Sequence, residues 1–193
     1  KKIMGFDAQV SVIPLQAFYG SGDEPFNYDD EIKNVVNGLV SRFGDNEKLS
    51  VFLSVSETGI LKTPDDFQGV NFRASGEGHD DSFMRSILRQ GNPVSDSVPN
   101  GIVISQKISD RLHLSEGDKV DAYFINDGII RPRRFIISGI YSSGFGDYDE
   151  AVVFAPYATV SKLRGMGSDQ GDRLEITGLQ LDEIQPFAQE LQD

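Results

Sequence analysis

Apolar residues recur along this chain with two spacings, one typical of helices and one typical of strands. The clearest helical spacing lies between Asp29 and Phe43, where apolar residues fall at i, i+3, i+4, i+7, i+8 and i+11. These residues are Ile32, Val35, Val36, Leu39, Val40 and Phe43. Asp29 and Asp30 favour the positive end of a helix, and Gly44 suits the left-handed position after its last turn. We predict a helix over about residues 29–43 that packs through this stripe.

Strict alternation of apolar and polar residues predicts strands in the first half of the chain. The predicted strands cover Ala8–Val12, Leu49–Ser56 and Phe67–Ala74, with Glu57-Thr58-Gly59 as a turn. A second helix is predicted around Phe83–Leu88, because apolar residues cluster there between Asp80 or Asp81 as a cap and Gly91 as a stop. A further strand is predicted near Arg173–Leu181, followed by a terminal helix that includes Pro186.

The stretch from Pro99 to Leu163 carries the densest pattern. A strand, a short helix, a turn and two further strands are predicted in it: Gly101–Ile104, Gln106–Leu112, Ser115–Asp118, Lys119–Ile125 and Arg133–Ile140. A glycine-rich acidic loop and the segment Ala151–Ala155 follow, ending at Pro156. The connection from about Asn126 to Pro132 is short and begins with Asn-Asp-Gly, which predicts an antiparallel hairpin.

These elements indicate an α+β fold with mixed, largely antiparallel sheets and short helices. The segment Asn92–Asn100 contains two Pro and two Ser and is predicted to be an internal linker. We therefore predict two lobes, with residues 1–98 plus 164–193 in the first and residues 99–163 inserted as the second.

Composition excludes several classes of function. The net charge of the 193 residues is −12, which disfavours binding to nucleic acid and broad adsorption to anionic lipid. The chain contains no Cys, so it has neither disulfides nor thiolate metal sites. No run of eighteen apolar residues occurs, and the first residue is Lys, so we expect a fragment of a longer protein.

The sequence offers few candidates for catalysis or metal binding. The two His residues, His79 and His113, fall in a flexible loop and at the end of a short helix, which disfavours a catalytic triad or a zinc site. The run Asp147-x-Asp149-Glu150 supplies too few oxygens for calcium. No nucleotide-binding loop occurs. We predict no catalytic, cofactor or metal site, and therefore no enzyme.

The order of units described above resembles the extracytoplasmic domain of ABC-transporter permeases of the lipoprotein-releasing and macrolide-exporter type, the FtsX-like permease superfamily. In that family, a strand and a short helix ending in Leu precede Gly-Asp and a strand, as Gly101–Ile104, Leu112 and Gly117-Asp118 do here. An "F-x-apolar-x-Gly-apolar" strand, an Asp-containing loop and a helix begun by Pro come next. The resemblance covers most of Gly69–Leu181.

The resemblance implies a non-catalytic domain on the periplasmic side of the inner membrane, excised from a membrane protein. Its partners would be a cytoplasmic ATPase reached through transmembrane segments, and a second permease subunit in a homodimer or heterodimer. It would couple ATP-driven motion to the handling or release of lipoprotein or other cargo, directly or through a periplasmic carrier. The alternative left open is a free-standing secreted binding module or a surface-associated hydrolase.

Five residues are candidate partner contacts. Arg131, Arg133 and Arg134 flank Pro132 and would bind carboxylates of a partner; alternatively, they are charges that protect a hairpin edge. Phe145 and Tyr148 would offer aromatic contact surface. In the family's carrier-binding subunit, a long loop at the position of this hairpin hooks the carrier. The short connection here departs from that form and leaves the cargo-receiving kind of subunit open.

Overall fold

The computed structural model describes residues 8–14, 17, 24–43, 48–126 and 128–192. The described strands are β1 (Val10–Val12), β2 (Phe26–Asn27), β3 (Ser50–Lys62), β4 (Phe67–Ser75), β5 (Leu88–Gly91), β6 (Gly101–Ser105), β7 (Lys119–Asn126), β8 (Ile129–Tyr141), β9 (Val152–Phe154), β10 (Gln170–Gly171) and β11 (Arg173–Thr177). The described helices are α1 (Asp30–Val40), α2 (Ser82–Ile87), α3 (Gln106–Leu112), α4 (Gly146–Ala151), α5 (Tyr157–Leu163) and α6 (Ile184–Glu190).

The chain forms two compact units. The first comprises Lys1–Ser54, Ser75–Asp80 and Met166–Asp193, and the second comprises Val55–Ala74 and Asp81–Gly165. The lobe boundaries expected from the sequence stay a prediction. Residues 55–74 and 81–98 belong to the same compact unit as residues 99–163. The segment 92–100 is the loop between β5 and β6 inside this second unit.

The first unit is built on an antiparallel arrangement of β1, β11 and the beginning of β3. Leu174 of β11 pairs with Val12 on one side and with Leu53 on the other. Helix α1 begins at its cap Asp29, whose Oδ1 accepts a hydrogen bond from the amide of Ile32 at 3.0 Å. The predicted helix is therefore confirmed, although it ends at Val40; the predicted stop, Gly44, lies outside the described residues.

The second unit contains a ring of six paired strands. The order is β3, β4, β9, β6, β8 and β7, and β7 pairs again with β3, so the strands close into a small barrel. The pairs β4–β9 and β6–β8 are parallel, whereas β3–β7 and β7–β8 are antiparallel. Strand β5 adds to β8 outside this ring. The predicted α+β class with mixed sheets is confirmed.

Aromatic side chains fill the barrel. Phe72, Phe124 and Phe135 are fully buried, and their ring centroids lie 4.9, 5.6 and 6.5 Å apart. Gly59 lies against this cluster, since a Cβ atom there would stand 2.9 Å from the Phe124 ring and 3.1 Å from the Phe72 ring. The predicted turn at Glu57-Thr58-Gly59 is wrong, because this glycine permits close packing inside a continuous β3.

Two other boundaries differ from the predictions. Leu88 ends the helical segment, and Leu88–Gly91 form β5, which pairs with the far end of β8. Strand β8 begins at Ile129 and not at Arg133, because the two isoleucines that follow the turn continue the pairing with β7. The connection between β7 and β8 is therefore two residues long. Its residue 127 lies outside the described residues.

Candidate partner-contact site

The register of the β7–β8 hairpin decides which of its side chains share a surface. Pairing runs from Lys119↔Ile136 to Asn126↔Ile129, and successive side chains point to opposite sides of the ribbon. Phe124 and Phe135 lie on the side that forms the barrel interior. We call the opposite side of β3, β7 and β8 the outer face; it carries Thr58, Ile60, Lys62, Lys119, Asp121, Tyr123, Ile125, Ile130, Pro132, Arg134 and Ile136.

The three arginines predicted as one contact patch do not lie on one surface. The side chains of Arg131 and Arg133 point to one side of β8 and the side chain of Arg134 points to the other. Of the three arginines, Arg134 alone lies on the outer face. Arg131 is half-buried, and its Nη1 donates a hydrogen bond to the Leu163 carbonyl at 3.2 Å. Arg133 is exposed, and its Nη1 donates to the Pro132 carbonyl at 2.8 Å.

Arg134 is engaged with Asp121 directly across the hairpin. Its Nε and Nη2 donate to the two carboxylate oxygens of Asp121 at 2.7 and 3.0 Å, which is a bidentate pair. This hydrogen bonding lowers the pKa of Asp121 below its ordinary value and raises the pKa of Arg134. Both side chains are substantially exposed, so the pair fixes geometry and adds little stability.

Helix α5 ends against the interior side of this hairpin. The Leu163 carbonyl at its last turn accepts from Asn126 Nδ2 at 3.3 Å as well as from Arg131. The next residue, Arg164, donates to the Ser56 carbonyl of β3 at 3.1 Å. The end of α5 thus covers one end of the barrel, and Arg131 is part of that closure.

The tip of the hairpin is apolar on both sides. Ile125 is 60% exposed, Ile129 is 58% exposed and Ile130 is 62% exposed. Ile125 and Ile130 pair on the outer face, whereas Ile129 lies on the opposite side. The sequence reasoning missed these residues. The signal was present in Ile129-Ile130, since two consecutive apolar residues in a two-stranded ribbon place one side chain on each side.

The aromatic loop after β8, which we define as residues 142–148, includes the first three residues of α4 and is fixed by a buried carboxylate. The glycine-rich acidic loop predicted here is therefore helical from Gly146 onward. Asp149 Oδ1 accepts from Ser143 Oγ at 2.5 Å and from its amide at 3.2 Å, and Oδ2 accepts from the Gly144 amide at 3.3 Å. Phe145 and Tyr148 are half-buried within this loop. Asp149 therefore has a structural partner set of its own.

The aromatic loop and the hairpin tip lie at opposite ends of β8. This strand runs from Ile129 to Tyr141, and at a rise of about 3.3 Å per residue the path along it is roughly 40 Å long. The five residues predicted as partner contacts therefore form at least three separate surfaces. Arg134 faces outward, Arg131 and Arg133 face the opposite side, and Phe145 with Tyr148 lie beyond the far end of the strand.

The remaining candidates for chemistry are dispersed. His79 packs edge-on against Phe52 at 4.7 Å between ring centroids, and His113 closes α3 in the left-handed conformation. Glu150 pairs with Lys107 at 2.8 Å, while its neighbour Asp149 points into the loop. Within the described ranges, no three His, Cys, Asp or Glu residues come together to hold a metal ion. None of the described helices is long and apolar enough to cross a membrane.

Two solved structures with a similar fold are domains of ABC-type transporters. The extracellular domain of the noncanonic ABC-type transporter YknZ from Gram-positive bacteria matches with a TM-score of 0.58 and 14% identity, over 92% of this chain and 88% of that one. The periplasmic region of MacB from Actinobacillus actinomycetemcomitans matches with a TM-score of 0.59 and 16% identity, over 93% of this chain and 79% of that one. No protein-family model matches the sequence, and no curated protein does. The chain has the fold of the extracytoplasmic domains of ABC-type transporter permeases, as the resemblance in its sequence implied.

Proposed function

We propose that this chain is a non-catalytic extracytoplasmic domain of an ABC-transporter permease, located on the periplasmic side of the inner membrane. The observation that carries the proposal is the match of more than nine-tenths of the chain to two such domains. The whole protein then has two partners, a cytoplasmic ATPase and a second permease subunit. It contacts the ATPase through its transmembrane segments. The domain couples ATP-driven motion to the handling or release of lipoprotein or other cargo.

The β7–β8 hairpin is the proposed contact for an extracytoplasmic partner, a carrier or the cargo itself. Three isoleucines at its tip are each more than half exposed, which leaves apolar surface in water unless another molecule covers it. Arg133 and Arg134 are exposed close to this tip, on opposite sides of the ribbon. A two-residue connection supports contact by the hairpin itself, without a long hooking loop.

The membrane part of the proposal is tested on the parent polypeptide. An affinity tag on that polypeptide, followed by detergent extraction of membranes, is expected to recover ATP hydrolysis in the same fraction. The matched control is the same preparation from cells in which the tag is on an unrelated membrane protein. Recovery of the polypeptide from the soluble fraction, without ATP hydrolysis, would contradict the proposal.

The contact part is tested with charge reversal. Arg133→Glu combined with Arg134→Glu is expected to abolish binding of an extracytoplasmic partner and to leave the fold intact, because both side chains are exposed on a hairpin. Added salt should weaken the wild-type contact, since exposed charges are screened over about 8 Å at physiological ionic strength. The single variants Arg133→Glu and Arg134→Glu show which side of the hairpin the partner contacts, because the two side chains point to opposite sides. Unchanged affinity in the double variant would show that these charges only protect the edge, and Phe145 and Tyr148 would then be tested.

A further inference from the structure

The outer face continues from the hairpin into a cleft on the second unit. The cleft has a volume of about 580 Å³, within the range of pockets that bind ligands. Its sheet wall consists of outer-face residues Lys62, Lys119, Asp121, Tyr123 and Arg134. The other walls are the β3–β4 turn and the segment that ends α3. These walls are Thr63, Pro64, Asp65, Asp66, Leu112, His113, Leu114 and Asp118.

Strand register arranges the outer face in three rows across β3, β7 and β8. Lys62, Asp121 and Arg134 form the first row, with Lys119 one step beyond it on β7. Ile60, Tyr123 and Pro132 form the second row, and Thr58 stands near Ile125 and Ile130 in the third. Adjacent rows are two residues apart, or about 7 Å. The face therefore changes from cationic to apolar within about 14 Å.

The sheet wall carries a net positive charge within an acidic chain. Lys62, Lys119 and Arg134 contribute three positive charges, and Asp121 contributes one negative charge that Arg134 already binds. Among the described residues, no carboxylate oxygen lies within 4 Å of the Lys62 or Lys119 amino group. These two ammonium groups are available to an acidic partner.

The other walls carry three carboxylates, Asp65, Asp66 and Asp118, so the whole cleft lining holds four carboxylates and three cations, and the positive charge is confined to the sheet wall. Asp66 accepts from the Phe67 amide at 2.7 Å, and Asp118 accepts from the Ser115 amide at 2.8 Å. Asp65 is exposed in the β3–β4 turn. An acidic group that binds this cleft is therefore attracted by the lysines of the sheet wall and repelled by Asp65 of the turn. The acidic group must lie on the side of the sheet wall.

We infer that the outer face binds an extended protein segment that carries one acidic residue and two apolar residues at alternate positions, with the acidic residue at one end of the three. The acidic side chain lies by Lys62 and Lys119, and the apolar side chains cover Tyr123–Pro132 and then Ile125–Ile130. A protein segment fits better than a lipid chain, because alternate side chains of an extended segment are about 7 Å apart, which is the spacing of the three rows. The inference rests on the proposed function only in taking the partner to be a protein.

The test uses the isotope-labelled chain and a synthetic pentapeptide, acetyl-Glu-Thr-Ile-Thr-Ile-amide, at millimolar concentrations in a nuclear magnetic resonance titration. Saturating amide shifts are expected on the outer face of β3, β7 and β8. Lys62→Glu with Lys119→Glu should raise the Kd at least about tenfold, and Asp65→Asn should lower it. Lys162→Glu, a single Lys-to-Glu change on the exposed face of α5, should leave the Kd unchanged and is the matched control for Lys62→Glu and Lys119→Glu made singly.

Three outcomes would overturn the inference. They are the absence of outer-face shifts, equal binding of a peptide with Lys in place of Glu, and shifts caused by phosphatidylglycerol vesicles and not by the peptide. Vesicle binding without peptide binding would identify a lipid-facing surface instead. Because the peptide titration needs no ATPase or membrane, its failure is distinct from failure of the transporter test above.

Discussion

A single proline shows how one residue controls an exposed strand edge. The Ile136 amide donates to Asn100 and the Ile137 amide to Asp118, on opposite sides of β8. Alternation then places the nitrogen of Pro132 on the same side as the Ile136 amide, away from β7. No described strand pairs with that side of residues 129–135. Pro132 therefore removes a donor from the centre of an open edge, which discourages strand addition.

Replacing this proline should open the edge. Pro132→Val restores the amide donor in a residue with high strand propensity, so self-association through β8 is expected to increase. Sedimentation velocity over a range of protein concentrations measures it. The matched control is Arg133→Val, which adds the same side chain where the amide already faces β7. Equal behaviour of the two variants would show that the edge is covered by other means.

Gly59 offers a second test at the residue scale. Gly59→Ala places a methyl group 2.9–3.1 Å from two fully buried phenylalanine rings, so the cluster must shift. We expect a loss of about 1–3 kcal/mol in the free energy of unfolding, measured by urea denaturation. Gly69→Ala in β4 is the control, since a Cβ atom there meets nothing within 4 Å. Equal stability of the two variants would mean that the phenylalanine cluster is loosely packed.

At the scale of elements, helix α1 shows what a periodic pattern determines. The stripe correctly predicted a helix, and Val36 and Leu39 are buried on it. Val35, which belongs to the same stripe by spacing, is 51% exposed. The apolar pattern identifies which side of a helix is buried. It does not identify how many residues on that side are covered, because the covering elements are distant in sequence.

This difference within one helix gives a sharp comparison. Val36→Asp buries a charge at a site with no exposed surface, and it should reduce the free energy of unfolding by about 3–5 kcal/mol. Val35→Asp should change it by about 0.5 kcal/mol or less, because the side chain is half in water. Thermal unfolding followed by circular dichroism measures both. An unchanged melting temperature for Val36→Asp would instead indicate that the stripe is an exposed interaction surface.

Short elements were predicted less completely than α1. Strand β6 and helix α3 were correctly predicted, since Ser105 caps the helix and a continuous apolar run precedes it. Leu88 was assigned to the second helix because it extends the apolar run of α2, but the pairing of Leu88 with Tyr141 of β8 outweighs that local signal. Local patterns fix the type of an element, and tertiary pairing fixes its ends.

At the scale of the whole molecule, the barrel was beyond the reach of sequence reasoning. Its closure depends on pairs such as Gly59↔Phe124 and Phe72↔Val153, which join strands about 65 and 81 residues apart. The three candidate arginines lie on two sides of the hairpin for a related reason. Arg133 and Arg134 are neighbours in sequence, but in a strand neighbouring side chains point to opposite sides.

The last prediction concerns the chemistry of the whole chain. His79 packs against Phe52 and His113 ends a helix, and the described residues bring no metal-ligating group together. Because the sequence offers only two His and no Cys, we expect the purified chain to hydrolyse neither ATP nor esters nor peptides. Turnover is measured against buffer, with an unrelated ATPase as the positive control for ATP. Steady turnover that follows the chain through successive columns, and is lost in His79→Ala or His113→Ala, would identify an enzyme and contradict the proposed function.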